Sequence, residues 1–141
     1  MEPNNTHPGL NGQRVIITGG NSGIGLVTAK QLAAKGASVL IAGRASDKTE
    51  AALQSINAEA VTPARNLAVD LGSLASVEAL IENVQRDGEP IDVLINNAGI
   101  AGPTGPVEEV SPEEWQQTMG VNINGQFHCV RRVVPIMKAQ I

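Results

Sequence analysis

The chain has 141 residues, 42% of them apolar and 17% charged, enough for one domain with a sizeable core. A net charge of −4, with no Lys/Arg cluster beyond Arg131-Arg132, gives no electrostatic case for nucleic acid. One cysteine, Cys129, excludes an intramolecular disulfide and makes a reducing compartment the default; no apolar run approaches membrane-spanning length.

Residues 1–12 are polar and broken by Pro3, Pro8, Gly9 and Asn11-Gly12, without the basic and apolar regions of a signal peptide. They read as a flexible lead-in, with His7 as a tail residue, to a cytoplasmic protein. Residues 14–18 carry the β-branched run Val15-Ile16-Ile17 and predict a buried parallel strand. Thr18-Gly-Gly-Asn-Ser-Gly-Ile-Gly25 then turns into a helix with Leu26, Ala29, Leu32 and Ala33 on one face, ended by Lys35-Gly36. Strand, glycine-rich turn and helix point backbone N–H groups and a positive helix end at an anion, with a pyrophosphate as the expected guest.

Ser38–Ala42 predicts the second strand and Gly43–Asp47 a polar loop. A helix follows over about Lys48–Ala58, with Leu53 and Ile56 inward, and Pro63 breaks the pattern. Arg65–Asp70 predicts a weaker third strand. Ser73 caps a helix striped by Leu74, Val77, Ile81 and Val84, which Asp87-Gly88 ends. Ile91–Ile95 predicts a fourth strand, followed by Asn96-Asn97-Ala98-Gly99 and a Gly/Pro-rich loop to Val110.

Ser111-Pro112-Glu113-Glu114 opens the last helix with a cap, a proline at the first helical position and a capping-box glutamate. That helix carries Trp115, Met119, Val121, Ile123, Phe127, Val130, Val133 and Met137, and is expected to run through Gly120, Gly125 and Pro135 to about 138. Cys129 falls in its apolar part and reads as a small buried hydrophobe. Alternating strands and helices predict an α/β fold, a Rossmann-type doubly wound parallel sheet of about four strands with helices on both faces.

The glycines Gly19, Gly23 and Gly25 allow a tight turn, close backbone approach to a phosphate, and close packing of helix on strand. An NAD enzyme places an acid about 20 residues beyond such glycines to bind the ribose 2′-hydroxyl. Here Gly43 and Arg44 stand there, with no acid before Asp47, and a guanidinium suits a 2′-phosphate by charge and fork geometry. NADP(H) is therefore preferred, with NAD(H) possible.

These residues together resemble the short-chain dehydrogenases/reductases. Thr18–Gly25 is similar to that family's T-G-x-x-x-G-x-G motif, Asn96–Gly99 to its N-N-A-G, Gly120-Val-Asn-Ile-Asn-Gly-Gln-Phe127 to its V-N-x-x-G-x-F, and Asp70 to the acid after its third strand. The matches fall in order and cover nearly everything past residue 13. The resemblance implies that Gly19, Asn21, Ser22, Gly23 and Ile24 surround the pyrophosphate and adjoining ribose, with Gly25 completing the turn. It implies Arg44 on the 2′-phosphate, and Asp70 and Leu71 at the adenine, with Asp70 accepting from its amine. Asn97, Ala98 and Gly99 would line the ribose region while Asn96 braces the sheet. Asn122 would be the catalytic-tetrad asparagine, holding a proton-relay water.

The family exchanges a hydride between nicotinamide and a carbonyl or alcohol substrate, using a tyrosine, a lysine four positions later and a serine. This chain has no tyrosine, and its lysines are Lys30, Lys35, Lys48 and Lys138. A fourth strand left as an open edge and a last helix without a stop signal agree with an incomplete sheet. Residues 13–141 are therefore expected to be the dinucleotide-binding, N-terminal half of a longer dehydrogenase/reductase. A homo-oligomer pairing through the last helix, about 112–138, also fits the resemblance. The alternative is a truncated, inactive nucleotide-binding or oligomerisation module.

Overall fold

A computed structural model describes residues 9–141; the expectations for residues 1–8, including His7, lie outside the described residues. Four strands form one parallel sheet: β1 Arg14–Thr18, β2 Ser38–Gly43, β3 Arg65–Ala68 and β4 Val93–Asn96, in the order β3-β2-β1-β4. β1 is buried along its whole length and pairs on both sides, Ile16 lying opposite Leu40 on β2 and Leu94 on β4.

Alternation along these strands feeds two cores. Val15, Ile17, Val39 and Ile41 meet Ala29 and Ala33 of α1 (Gly23–Ala34) and Ile56 of α2 (Asp47–Asn57). Ile16, Leu40, Ala42 and Leu67 meet Val77, Ile81 and Val84 of α3 (Leu74–Arg86), together with Cys129 and Val133 from the last helix. Leu10 packs against the first cluster, and its N–H donates to the Lys35 carbonyl at 3.0 Å. A parallel sheet with helices on both faces is the doubly wound Rossmann arrangement.

Three expected boundaries move. β3 ends at Ala68 rather than Asp70, because the Asp70 N–H donates to Ser76 Oγ of α3 at 2.8 Å. β4 begins at Val93 rather than Ile91, because the Gln140 side-chain amide holds both the N–H and the C=O of Ile91, each at 2.9 Å. The helix expected as one α-helix over about 112–138 is α4 (Pro112–Met119), a π turn (Gly120–Asn124) and α5 (Gly125–Ala139). The two glycines bracket that turn. Gly125 lies where a Cβ would stand 2.7 Å from the Leu71 carbonyl oxygen.

Local signals behave as read. Ser111 and Glu114 form a reciprocal capping box, Ser73 caps α3, and Gly36 and Gly88 adopt positive φ after α1 and α3. Arg14 is the unexpected core residue, only 4% exposed. Its guanidinium donates to the carbonyls of Val84 and Glu89 and pairs with Asp87, which also pairs with Arg65.

Candidate functional site

β1 connects toward β2 on one side, and β4 lies on its other side, so a crevice opens beyond the carboxyl ends of β1 and β4. That is where doubly wound sheets bind ligands. Thr18, at the end of β1, sets the crevice. Its Oγ1 accepts the N–H groups of Asn97 and Ala98, each at 3.1 Å, which folds the strand-end turn of β4 onto the glycine turn.

The glycine turn is close-packed on that neighbour. At Gly19, φ is +70° and a Cβ would lie 2.8 Å from Ala98 Cα. A Cβ at Gly25 would collide with Asn97 Nδ2 and the Gly19 carbonyl. Asn97 Nδ2 itself donates to the Gly19 carbonyl at 3.1 Å. Gly23 differs: its φ is +55°, and a Cβ there would meet nothing within 4 Å. It opens α1, whose cap residue Ser22 makes no side-chain capping bond. The first-turn N–H groups of α1 thus have no intrahelical acceptor. Ile24 beside them is 80% exposed.

A cleft of about 290 Å³ runs along this edge, lined by Gly19, Asn21, Arg44, Asp70, Leu71 and Ala98 among others. About half of the expected site residues therefore share one wall. Arg44 is 76% exposed at the rim, its guanidinium 3.7 Å from Asp70 Oδ1. Asp70 also accepts the Gly72 N–H at 3.0 Å, an Asx-type turn that holds its carboxylate at the rim.

Asn122 sits in the π turn, and its amide grips the far wall: Oδ1 accepts from the Ile100 N–H and Nδ2 donates to the Ile100 carbonyl, both at 2.8 Å. Gly99 lies against it, where a Cβ would be 3.3 Å from Asn122 Oδ1. Asn96 ends β4 opposite Thr18, with its Oδ1 buried and unpartnered. Cys129 is buried beneath the cleft, and burial raises its thiol pKa.

Sequence reasoning missed Gln117 and Val121 as lining residues and Thr49 as a link between loops. Spacing offers no signal for Gln117, which reaches the cleft from α4, while Val121 stands beside Asn122 in the V-N motif of the π turn. Thr49 does carry one: it is a short polar residue three positions after the cap Ser46.

A family model described as short chain dehydrogenase matches residues 13–141. Gluconate 5-dehydrogenase of Gluconobacter oxydans (strain 621H) is 38% identical over 125 residues, covering 86% of this chain and 48% of that one. The structure of L-sorbose reductase from Gluconobacter frateurii, complexed with NADPH and L-sorbose, superposes with a TM-score of 0.84 at 31% identity. It covers 94% of this chain and 50% of that one. A metagenomic short-chain oxidoreductase in complex with NADP gives 0.87 at 32% identity, covering 93% and 59%. The chain spans about half the length of the curated relatives it matches.

The fold and the crevice are those of a Rossmann-type doubly wound domain. The chain belongs to the short chain dehydrogenase family, whose members act on alcohol and carbonyl groups with a nicotinamide dinucleotide. The residues present fit such a group: free N–H groups at the start of α1, open space above Gly23, and a cation and a carboxylate facing each other at the rim. Among the described residues, no helix is long and apolar enough to cross a membrane.

Proposed function

We propose that this chain forms the cofactor-binding half of an oxidoreductase that transfers a hydride between NADP(H) and a small carbonyl or alcohol substrate. The observation that carries the reading is Arg44, exposed at the rim of the cleft beyond β2 and facing Asp70. An arginine there suits a 2′-phosphate, whereas the acid of an NAD enzyme would repel it. NAD(H) is the weaker second cofactor of this reading. The NADPH and NADP complexes of the two similar structures support it.

When bound, the nicotinamide supplies the hydride donor or acceptor. Gly19, Asn21, Ser22, Gly23 and Ile24 surround the pyrophosphate, which the N-terminus of α1 stabilises. Gly25 keeps α1 close to β4. Asp70 accepts from the adenine amine and Leu71 flanks the ring, while Asn97, Ala98 and Gly99 line the ribose. Asn122 keeps one N–H and further acceptor capacity beyond its bonds to Ile100, enough to hold a water of a proton relay. These 141 residues include no tyrosine.

A second reading is a nucleotide-binding or oligomerisation module without chemistry. Carbonyl-dependent oxidation of NADPH separates the two. Arg44→Asp tests the cofactor: it should weaken NADPH binding far more than NADH binding, and equal losses on both would refute the assignment. Exposed Ile123, Phe127, Val130 and Val134 form a stripe at helical spacing, suited to pairing with a second copy. Strictly monomeric sedimentation would count against it. A cytoplasmic location suits a chain whose one thiol is free and buried.

A further inference from the structure

A buried hydroxyl lies between the two loops on the phosphate side of the cleft. Thr49, in the first turn of α2, is 1% exposed. Its Oγ1 donates to the Arg44 carbonyl at 2.7 Å and accepts from Asn21 Nδ2 at 3.2 Å. Ser46 Oγ lies 3.2 Å from the same oxygen and accepts the Thr49 N–H at 3.2 Å. The glycine turn after β1 and the loop after β2 therefore meet at one atom.

Among the described residues, the Arg44 guanidinium has one ion pair, with Asp70. Its contact with Asp70 is between two exposed groups, and such pairs contribute about 0–1 kcal/mol. The guanidinium starts from a backbone whose carbonyl Thr49 grips, and the same hydroxyl orients Asn21 beside the glycines. We propose that Thr49 is a positioning residue for cofactor choice, coupling the pyrophosphate turn to the arginine that would take the 2′-phosphate. The inference rests on the reading of Arg44 given above.

Thr49→Val keeps the shape and removes the hydroxyl; Thr49→Ser keeps the hydroxyl. Titration of the protein with NADPH and NADH, followed by calorimetry, should show Thr49→Val weakening NADPH about tenfold, the scale of one hydrogen bond. NADH should change less than about twofold, and Thr49→Ser should restore the wild-type ratio. Losses in equal proportion on both cofactors, no loss on either, or failure of the serine to restore the ratio would overturn the proposal. If Thr49→Val does not fold, a double-mutant cycle of Asn21→Ala with Arg44→Met takes its place. Non-additive losses of NADPH affinity support the coupling, and additive losses overturn it. A wild-type protein that binds both cofactors equally, or neither, overturns the Arg44 reading and this inference with it. A wild-type preference that survives Thr49→Val overturns the Thr49 inference alone.

Discussion

Arg14 and Asp87 are joined across the base of the sheet, Nη2 to Oδ2 at 3.0 Å, with the arginine buried and the carboxylate partly open to solvent. The guanidinium also serves two carbonyls at the end of α3 and beyond it, so it stitches that helix to the start of β1. The two partners are not equivalent. Arg14→Met leaves buried carbonyls without a donor and should cost about 2–4 kcal/mol in urea unfolding. Asp87→Asn keeps the shape and an acceptor but removes the charge facing the buried guanidinium, and should cost less than the arginine change, about 1–2 kcal/mol.

The glycines of the first turn should separate folding from binding. Gly25→Ala drives a methyl into Asn97 and the Gly19 carbonyl, so it should lower the melting temperature sharply. Gly23→Ala meets open space and bears only the strain of a positive φ, about 1 kcal/mol. Its methyl nonetheless occupies the space above the helix N-terminus. Calorimetric titration should therefore find dinucleotide affinity reduced at least about tenfold in a protein that still melts near wild type.

Asn122 holds the wall of the cleft through both ends of its amide. Asn122→Ala releases the Ile100 N–H and C=O, and two exposed hydrogen bonds of this kind are worth about 1–2 kcal/mol. Exchange of the Ile100 amide should accelerate about tenfold, while core amides such as Ile16 keep their protection. Unchanged exchange at Ile100 would show that the loop is held by something else.

Cys129 should be silent in the native protein. Burial raises its thiol pKa, so the folded thiol stays protonated where the unfolded one ionises. A thiol-specific disulfide reagent at pH 8 should react only as fast as the protein opens, and at once in guanidinium. The linkage has a definite sign. Stability from this group is full below the pKa of the unfolded thiol and falls as pH rises above it toward the raised folded value, by up to about 1.4 kcal/mol per pH unit.

What could be read from the chain was what neighbours in sequence decide. Ser73, Ser111 with Glu114, Gly36 and the apolar runs at Val15–Ile17 and Val39–Ile41 act over a few residues, and the structure follows them. The wall made of Gly19, Asn21, Arg44, Asp70, Leu71 and Ala98 was legible because each of these stands within three residues beyond a strand. The burial of Arg14 was not legible, since its partners lie 70 residues or more away in sequence. Thr49 read as one more residue of a modest helix until Asn21 was brought against it. The start of β4 depended on Gln140, 49 residues further on.

The π turn has a consequence for the whole last helix. An α-helix advances about 100° per residue, so Trp115 and Phe127, twelve positions apart, would point about 120° away from each other on an unbroken helix. One wide turn takes up a residue without advancing the face, and the offset shrinks to about 20°. The turn that presents Asn122 to the cleft thereby re-phases the rod around it. It brings an aromatic side chain of α4 and one of α5, both open to solvent, onto a single line.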